Sequence, residues 1–376
     1  MLGFTSLRAR EESVASLSHL GLRMTLCPGS LRLGGDVRFE GRGFQDPEGD
    51  LTGVPIDQAQ EQISSGLSAV YAWSPTEGLL VQSRLDARRE SLADPRFGDP
   101  ERSSLAVSGA SEWRPLGDDR LVASLALRLE EVEGAGLQWA PAIGLLWRPG
   151  VGLELRGNLA RAYRLPSFAE LYLEAGYAMG NPNLLPESAW SVDASVAWRG
   201  PVSSRVKLTG FFSRYAEIIV FEPGANFRFR PLNLGAADLG GLELEAGTRL
   251  PGGFEWALCY AYLYSADRSG LLIREGHALP GRPVHQAGAW LRWGRGPWFA
   301  RTGLQLVGAN FINAANTKEL DARWLAEASV GRRIETIRIA LQGRNLFNDH
   351  AQDVRGLPLP GLGFFVTISW TNEERQ

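Results

Sequence analysis

The residue types that most often perform catalysis or bind metals are sparse and scattered in this sequence. Its two cysteines, Cys27 and Cys259, are far apart and fit no metal-binding spacing. The four histidines never form a close pair: His19, His277, His285 and His350. The chain also has no Gly-x-Ser-x-Gly elbow, no His-x-x-x-His pair and no phosphate-binding glycine loop. The sequence therefore predicts no metal site, no cofactor and no enzyme activity.

The overall composition favours a β-protein that does not bind nucleic acid. The formal net charge is −3, which gives no broad basic field for a nucleic-acid partner. The chain contains 44 Gly, 12 Trp, 16 Phe and 8 Tyr, a mixture that suits strands and tight turns better than helices. No stretch has 18 or more consecutive apolar residues, so no helical membrane span is predicted.

Apolar and polar residues alternate along many segments. In residues 190–198, Trp190, Val192 and Val196 share one parity, whereas Asp193 and Ser195 share the other. The same split recurs in residues 121–130, 153–158, 242–249 and 337–344. Because successive side chains of a strand point to opposite faces, these segments are predicted to be strands with one apolar and one polar face.

The turns separate a membrane barrel from a soluble β-sandwich, which would also alternate. Short turns, such as Pro149-Gly150 and Gly200-Pro201, alternate with connections that are mostly longer and more polar, such as 166–187 and 349–362. This wiring is typical of outer-membrane barrels. Eight of the twelve tryptophans lie near a short turn or the end of the last strand, as an interfacial aromatic girdle requires. The predicted fold class is all-β, a transmembrane antiparallel β-barrel.

Counting from Val14 gives 17 predicted strands, the last of which ends at Trp370. We accordingly divide the chain into a strand end or extracellular loop at 1–13, a partial barrel at 14–370 and a polar tail at 371–376. A single-chain bacterial barrel has an even number of strands and begins on the short-turn side. At least one further strand upstream is therefore expected.

Several motifs resemble the barrel of TonB-dependent outer-membrane receptors. Residues 160–172 read Ala-Arg-Ala-Tyr-Arg-Leu-Pro-Ser-Phe-Ala-Glu-Leu-Tyr, and residues 180–187 read Gly-Asn-Pro-Asn-Leu-Leu-Pro-Glu. The resemblance continues in Asn233-Leu234-Gly235, in residues 279–283 (Leu-Pro-Gly-Arg-Pro) and in residues 343–348 (Gly-Arg-Asn-Leu-Phe-Asn). It implies a 22-stranded barrel whose interior is filled by an N-terminal plug domain.

Measured against that family, the sequence is expected to supply about 17 of 22 strands and to lack the plug and the energy-coupling segment. The first 17 residues hold charged side chains where a signal peptide needs an apolar centre, so no signal peptide of its own is expected. The resemblance implies outer-membrane lipid as a partner. The TonB complex would be a partner only if the full-length protein carries a plug and a coupling segment.

The long connection from Arg164 to Glu187 is the predicted ligand-contact loop, because family members use such loops to close over substrate. The expected substrate-binding residues are Arg164, Phe168, Tyr172, Tyr177, Asn181 and Asn183. Alternatively, the prolines and asparagines of this loop only determine its shape. Asp193, Glu243 and Glu245 have the parity of the polar face. The resemblance implies that they face plug arginines, although they could also simply be hydrated.

The predicted function is energy-coupled uptake of a metal chelate such as a ferric siderophore or cobalamin, in the bacterial outer membrane. Three alternatives stay open at this stage. A barrel without a plug could be a passive pore, the scaffold could carry an outer-membrane enzyme or adhesin, or the chain could be a truncated product that does not function.

Overall fold

The computed structural model describes residues 9–48, 56–94, 96–175, 178–223, 228–350, 352–354 and 356–370. Within these residues, 17 strands have between 8 and 22 residues, as the sequence predicts. They are β1 (Arg10–Leu26), β2 (Gly29–Asp46), β3 (Ile56–Thr76), β4 (Leu79–Ala93), β5 (Glu101–Trp113), β6 (Leu121–Val132), β7 (Gly136–Gly150), β8 (Leu153–Arg164), β11 (Glu187–Arg199), β12 (Arg205–Pro223), β13 (Phe229–Leu250), β14 (Phe254–Asp267), β15 (His285–Arg295), β16 (Trp298–Val307), β19 (Arg323–Ile334), β20 (Ile337–Arg344) and β23 (Gly363–Trp370).

Short elements lie in the longer connections. They are β9 (Glu174–Ala175), β10 (Ala178–Met179), β17 (Asn310–Phe311), β18 (Glu319–Leu320), β21 (Gln352–Val354), β22 (Leu357–Pro358) and the five-residue helix α1 (Phe168–Tyr172). In the described parts of the chain, no helix is long and apolar enough to cross a membrane.

Consecutive long strands pair antiparallel over long registers. In the pair of β1 and β2, for example, Arg10 faces Gln45 and Leu26 faces Gly29. The registers of β14, β15 and β16 are equally regular. A parallel bridge joins Ala178 of β10 to Phe229 of β13. The predicted all-β antiparallel class is therefore confirmed.

On several strands the two faces have the opposite exposure from that of a soluble protein. On β11, Trp190, Val192 and Val196 are 40%, 46% and 47% exposed, whereas Ser195 on the other parity is only 8% exposed. On β23, Phe364, Val366, Ile368 and Trp370 are all exposed. We call the side with these residues the apolar face and the other side the polar face. Contiguous exposed apolar surface of this extent marks contact with a membrane or a partner.

The turns between long strands agree with the predicted alternation. Val151 and Gly152 alone connect β7 to β8, and Gly152 has a φ of +76°. A Cβ atom at Gly152 would lie 2.1 Å from the carbonyl oxygen of Arg199, so this turn requires glycine. The turn between β3 and β4 is formed by Glu77 and Gly78, because β3 continues to Thr76 past a register shift.

The contacts divide the chain into two compact units. The first contains residues 1–144, 160–190 and 215–235. The second contains residues 145–159, 191–214 and 236–376. The predicted ligand-contact loop lies in the first unit.

Candidate ligand-contact loop

The loop that follows β8 begins with helix α1, whose start is encoded locally. Ser167 is the N-cap, and its hydroxyl oxygen accepts a hydrogen bond from the backbone N–H of Glu170 at 3.2 Å. The Glu170 carboxylate in turn accepts one from the backbone N–H of Ser167 at 2.7 Å. This reciprocal capping box satisfies two N–H groups that a helix start leaves without partners.

Arg164 connects both ends of the loop. Its Nη1 and Nη2 atoms donate to the two carboxylate oxygens of Glu170, at 2.9 and 3.0 Å, and its Nε donates to Glu187 at 2.5 Å. The other oxygen of Glu187 accepts from the backbone N–H of Ile219 at 2.7 Å. Bidentate arginine–carboxylate pairs are among the strongest hydrogen-bonded contacts in proteins. Arg164 therefore ties the loop to the end of β11 and, through Glu187, to β12.

Burial and hydrogen bonding act in opposite directions on the pKa of the Glu170 carboxyl. Its burial favours the neutral form, but the hydrogen bonds and charge of Arg164, with those of Ser167, favour the ionised form. The effect of Arg164 and Ser167 is the larger in sum, so the pKa of Glu170 lies below its ordinary value. Glu170 is therefore charged at neutral pH and can hold Arg164 in place.

Arg102 supports the start of the helix from the neighbouring strand β5. Its Nη1 atom donates to the carbonyl oxygen of Pro166 at 2.8 Å, and its Nη2 donates to Glu90 at 2.7 Å. Its guanidinium also lies over the ring of Phe168, 5.0 Å from the ring centroid. Phe168 is 7% exposed, so this ring is a packing residue of the loop.

Two asparagines fasten the returning half of the loop. Asn181 is buried, and its Nδ2 donates to the carbonyl oxygen of Pro231 at 3.0 Å. Asn233 accepts from the backbone N–H of Leu185 at 2.8 Å and donates to the Leu185 carbonyl oxygen at 2.9 Å. The loop is thus attached to β13 through side-chain amides that replace backbone pairing.

Beside these attachments lies a cleft of about 500 Å³. Tyr172 lines it from α1, Arg96 and Phe97 from the connection after β4, Met179 from β10 and Arg230 from β13. Aromatic, thioether and cationic side chains together suit a ligand that is partly apolar and anionic.

The two arginines of the cleft differ in their surroundings. Arg96 forms a bidentate pair with Asp94, with Nε to Oδ1 at 3.0 Å and Nη2 to Oδ2 at 2.5 Å. Burial opposes ionisation of Asp94, yet the hydrogen bonds and charge of Arg96 hold the pKa of that carboxyl below its ordinary value. Arg230 donates from Nη2 to Asn181 at 3.3 Å, and its Nε is buried without a hydrogen-bond partner among the described residues. Arg230 therefore contributes a positive charge to the lining of the cleft.

A family model described as "TonB dependent receptor-like, beta-barrel" matches residues 33–346, which is more than half of the chain. The chain belongs to the TonB-dependent receptor β-barrel family. The resemblance drawn from the sequence motifs is therefore confirmed.

Several solved structures share the fold at low sequence identity. The siderophore receptor PirA from Pseudomonas aeruginosa is 16% identical, with a TM-score of 0.72 over 95% of this chain and 62% of its own. The ferric enterobactin receptor PfeA mutant Q482A from Pseudomonas aeruginosa, in complex with enterobactin, is 14% identical, with a TM-score of 0.76 over 95% and 62%. The copper transporter OprC is 15% identical, with a TM-score of 0.74 over 95% and 65%. The chain thus spans less than two thirds of each of these structures. No curated protein matches it.

Within this TonB-dependent receptor barrel, the six expected substrate-binding residues have different surroundings. Arg164, Phe168 and Asn181 are engaged in the internal contacts of the loop. Tyr172 lines the cleft, and Asn183 is exposed while its N–H donates to Asn181 at 3.2 Å. Tyr177 lies outside the described residues. A role in binding remains a prediction for all six.

The three acids expected on the polar face belong to the second unit. Asp193 accepts from Nδ2 of Asn158 at 2.9 Å, and Glu245 lies 3.8 Å from Nζ of Lys207. Glu243 is exposed and has no ion-pair or side-chain hydrogen-bond partner in the described part of the chain. Across the same residues, no cluster of three or more His, Cys, Asp or Glu could hold a metal ion. Whether the acids face a plug stays a prediction.

The motifs singled out Arg164 and Asn181, but not Arg96, Arg102 or Arg230. These three arginines come from strand ends that are distant in sequence, and no local pattern distinguishes them from the other basic residues. Their shared feature is position at the ends of long strands next to the long connections. That feature appears only once the registers are known.

Proposed function

We propose that this chain is the barrel part of an outer-membrane receptor that binds a metal chelate such as a ferric siderophore on the extracellular side. Uptake would be driven by the TonB complex, provided that the full-length protein carries a plug and a coupling segment. The loop 165–186 and the adjoining cleft would contact the chelate. No catalytic role is proposed for any residue.

The exposed apolar face supports a membrane location. Residues such as Leu20, Leu105 and Val366 are more than 60% exposed. Exposure of so large an apolar face to water would be unfavourable, so a nonaqueous environment or a partner is expected to cover it. Lipid provides the matching environment for the outside of a barrel. The opposite face carries the arginines and carboxylates and suits an aqueous interior.

The cleft beside Tyr172 is the observation that carries the proposed ligand binding. Its loop is held by Arg164, Asn181 and Asn233, so the cleft is already formed without a ligand. Pre-formed sites bind more tightly because less conformational freedom is lost on binding. Tyr172 offers a ring for an aromatic chelator, and Arg230 offers a positive charge. PirA, described as a siderophore receptor, and PfeA, described as a ferric enterobactin receptor, share the fold, which supports a metal chelate as the ligand.

Titration of the detergent-refolded chain with ferric enterobactin, followed by tryptophan fluorescence, tests this proposal. We expect saturable binding that is weakened at least tenfold in Tyr172→Ala. The matched control is Tyr71→Ala, because Tyr71 stacks on Trp73 near the short turn after β3, away from the cleft. Equal affinities of Tyr172→Ala and the unaltered chain would overturn the assignment of the cleft.

Planar-bilayer recordings distinguish the proposed receptor from a passive pore. A steady conductance of the full-length protein in the absence of ligand would favour the pore. A sealed barrel, together with TonB-dependent uptake of the chelate into cells, is the outcome expected of a receptor.

A further inference from the structure

Several large aromatic side chains of the second unit, among them Trp290, Phe299 and Phe365, break the alternation by lying on the polar face. The register opposes Trp290 of β15 to Gly303 of β16, and Gly303 to Glu327 of β19. Directly opposed residues share a face, so Trp290 lies on the side of Glu327. Phe365 of β23 is opposed to Gln342 of β20, which places it on the polar face as well. Of these rings, Trp290 and Phe365 line a common pocket, whereas Phe299 does not.

Trp290 lies flat against the strands because two glycines make room for its indole. A Cβ atom added at Gly288 would lie 2.5 Å from Cη2 of Trp290, and one added at Gly303 would lie 2.9 Å from its Cδ1. Any side chain at these positions would push the ring away from the sheet. The paired glycines therefore create an aromatic platform on the polar face.

A clamped connection covers one side of the platform. Asn345 is 7% exposed, and its Nδ2 donates to the carbonyl oxygens of Asp349 and Pro360, at 2.9 and 3.0 Å. Asn348 accepts from the backbone N–H of Leu362 at 3.0 Å. Together with the platform, this connection encloses a pocket of about 590 Å³ whose lining includes Trp290, Arg344, Phe365 and residues 359–363.

The pocket lining carries one cation, Arg344, and one acid, Glu327. Arg344 lies over the ring of Phe365, 5.0 Å from its centroid, and its Nη2 donates to Gln342 at 3.3 Å. No carboxylate lies within ion-pair distance of Arg344 among the residues that the structure describes. Glu327 lies 3.4 Å from Arg301, so the acid of the lining has a cationic partner of its own. The indole N–H of Trp290 makes no hydrogen bond to any described residue.

We propose that this pocket binds a planar aromatic ring that carries an acidic group. The ring would contact Trp290 and Phe365, and the acidic group would be held by the guanidinium of Arg344. Aromatic side chains favour flat π-systems, and arginine matches the geometry of a carboxylate. The inference is independent of the proposed function, because this pocket shares no residue with the cleft beside Tyr172.

Binding of three small probes to the unaltered chain in detergent tests the inference. Benzoate has both the ring and the charge, cyclohexanecarboxylate has the charge without a flat ring, and benzamide has the ring without the charge. We expect saturation-transfer NMR and calorimetry to show that benzoate binds at least tenfold more tightly than either of the others. Equal binding of all three, or no binding of benzoate, would overturn the inference without bearing on ferric enterobactin binding in the other cleft.

Variants locate the site. Arg344→Gln and Trp290→Leu are each expected to weaken benzoate binding at least tenfold. The matched control is Arg338→Gln, because Arg338 also lies over a phenylalanine, 3.9 Å from the ring centroid of Phe299, but does not line this pocket. Circular dichroism of each variant verifies its strand content. Unchanged benzoate affinity in a folded Arg344→Gln chain would place any binding elsewhere and refute the assignment.

Discussion

The side chain of Asn345 donates a hydrogen bond to the carbonyl oxygen of Pro360, 3.0 Å away. Asn345 belongs to the motif Gly-Arg-Asn-Leu-Phe-Asn at 343–348, and Pro360 lies 15 residues further along the chain. Asn181 and Pro231 are joined in the same manner across 50 residues. The motifs by which the chain resembles its family therefore include residues that attach long connections to the strands.

Replacing Asn345 by alanine should release the connection that follows β20. Its side chain makes two donor bonds and accepts a third from the Asp349 N–H at 2.9 Å. At roughly 0.5–1.5 kcal/mol for each bond, the free energy of opening should fall by about 2 kcal/mol. Hydrogen exchange at Asp349 and Leu362 would accelerate accordingly.

Asn345 also has a positive φ of 49°, so the alanine change combines backbone strain with lost hydrogen bonds. Asn345→Gly separates the two effects, because glycine adopts this φ freely. We expect Asn345→Gly to exchange nearly as fast as Asn345→Ala. Full protection in the glycine variant would show that backbone conformation, and not the amide, holds the connection.

Arg164→Gln should loosen the ligand-contact loop and leave the strands intact. The change removes the bidentate contact with Glu170 and the bond to Glu187, and both carboxylates then lack their cationic partner. Because Arg164 is about half exposed, we expect a loss of only about 1 kcal/mol. Exchange of the Asn181 and Ile219 amides, which donate to Glu170 and Glu187, is the measurement.

The control for this change is Arg120→Gln. Arg120 pairs with Asp118 in the short turn after β5 and does not contact the loop. The Arg120→Gln variant should leave hydrogen exchange at the Asn181 and Ile219 amides unchanged. Equal effects of the two variants would mean that charge removal in general, and not the Arg164 contact, governs the loop.

Acid should loosen the same loop through Glu170. Its folded pKa lies below the value of about 4.3 expected in the unfolded chain, so its ionised form stabilises the loop. This stabilisation is complete at pH values above the pKa of Glu170 in the unfolded chain. It is lost as the pH falls through the pKa of Glu170 in the folded chain. Exchange at Asn181, corrected for intrinsic rates, should rise relative to neutral pH in that acidic window. Glu170→Gln should be less protected at neutral pH and show a smaller acid response, and an identical acid response in both chains would exclude Glu170 as the titrating group.

Local sequence patterns account for the strands but not for the contacts between connections. Period-two alternation identified 17 strands because each strand turns one face to an apolar environment. Every second residue of a strand must therefore be apolar. The capping box of Ser167 and Glu170 is equally local. By contrast, the contact of Arg102 with Phe168 and that of Arg230 with Asn181 depend on strand registers, which alternation alone does not specify. The position of the Trp290 ring could not be predicted for the same reason, since it requires Gly303 on the adjacent strand.

A charge on the apolar face should hinder membrane insertion far more than the same charge on the polar face. Leu125 of β6 is 56% exposed on the apolar face, and the adjacent Ser124 is also exposed but has the opposite parity. A lysine that faces lipid near the bilayer midplane costs about 2–4 kcal/mol, and less towards the interfaces. Urea-dependent refolding into vesicles should therefore show a clear loss of stability for Leu125→Lys and a change of less than about 1 kcal/mol for Ser124→Lys. Equal losses in the two variants would contradict the assignment of the apolar face to lipid, because adjacent residues on a strand share a depth and differ only in the side to which they point.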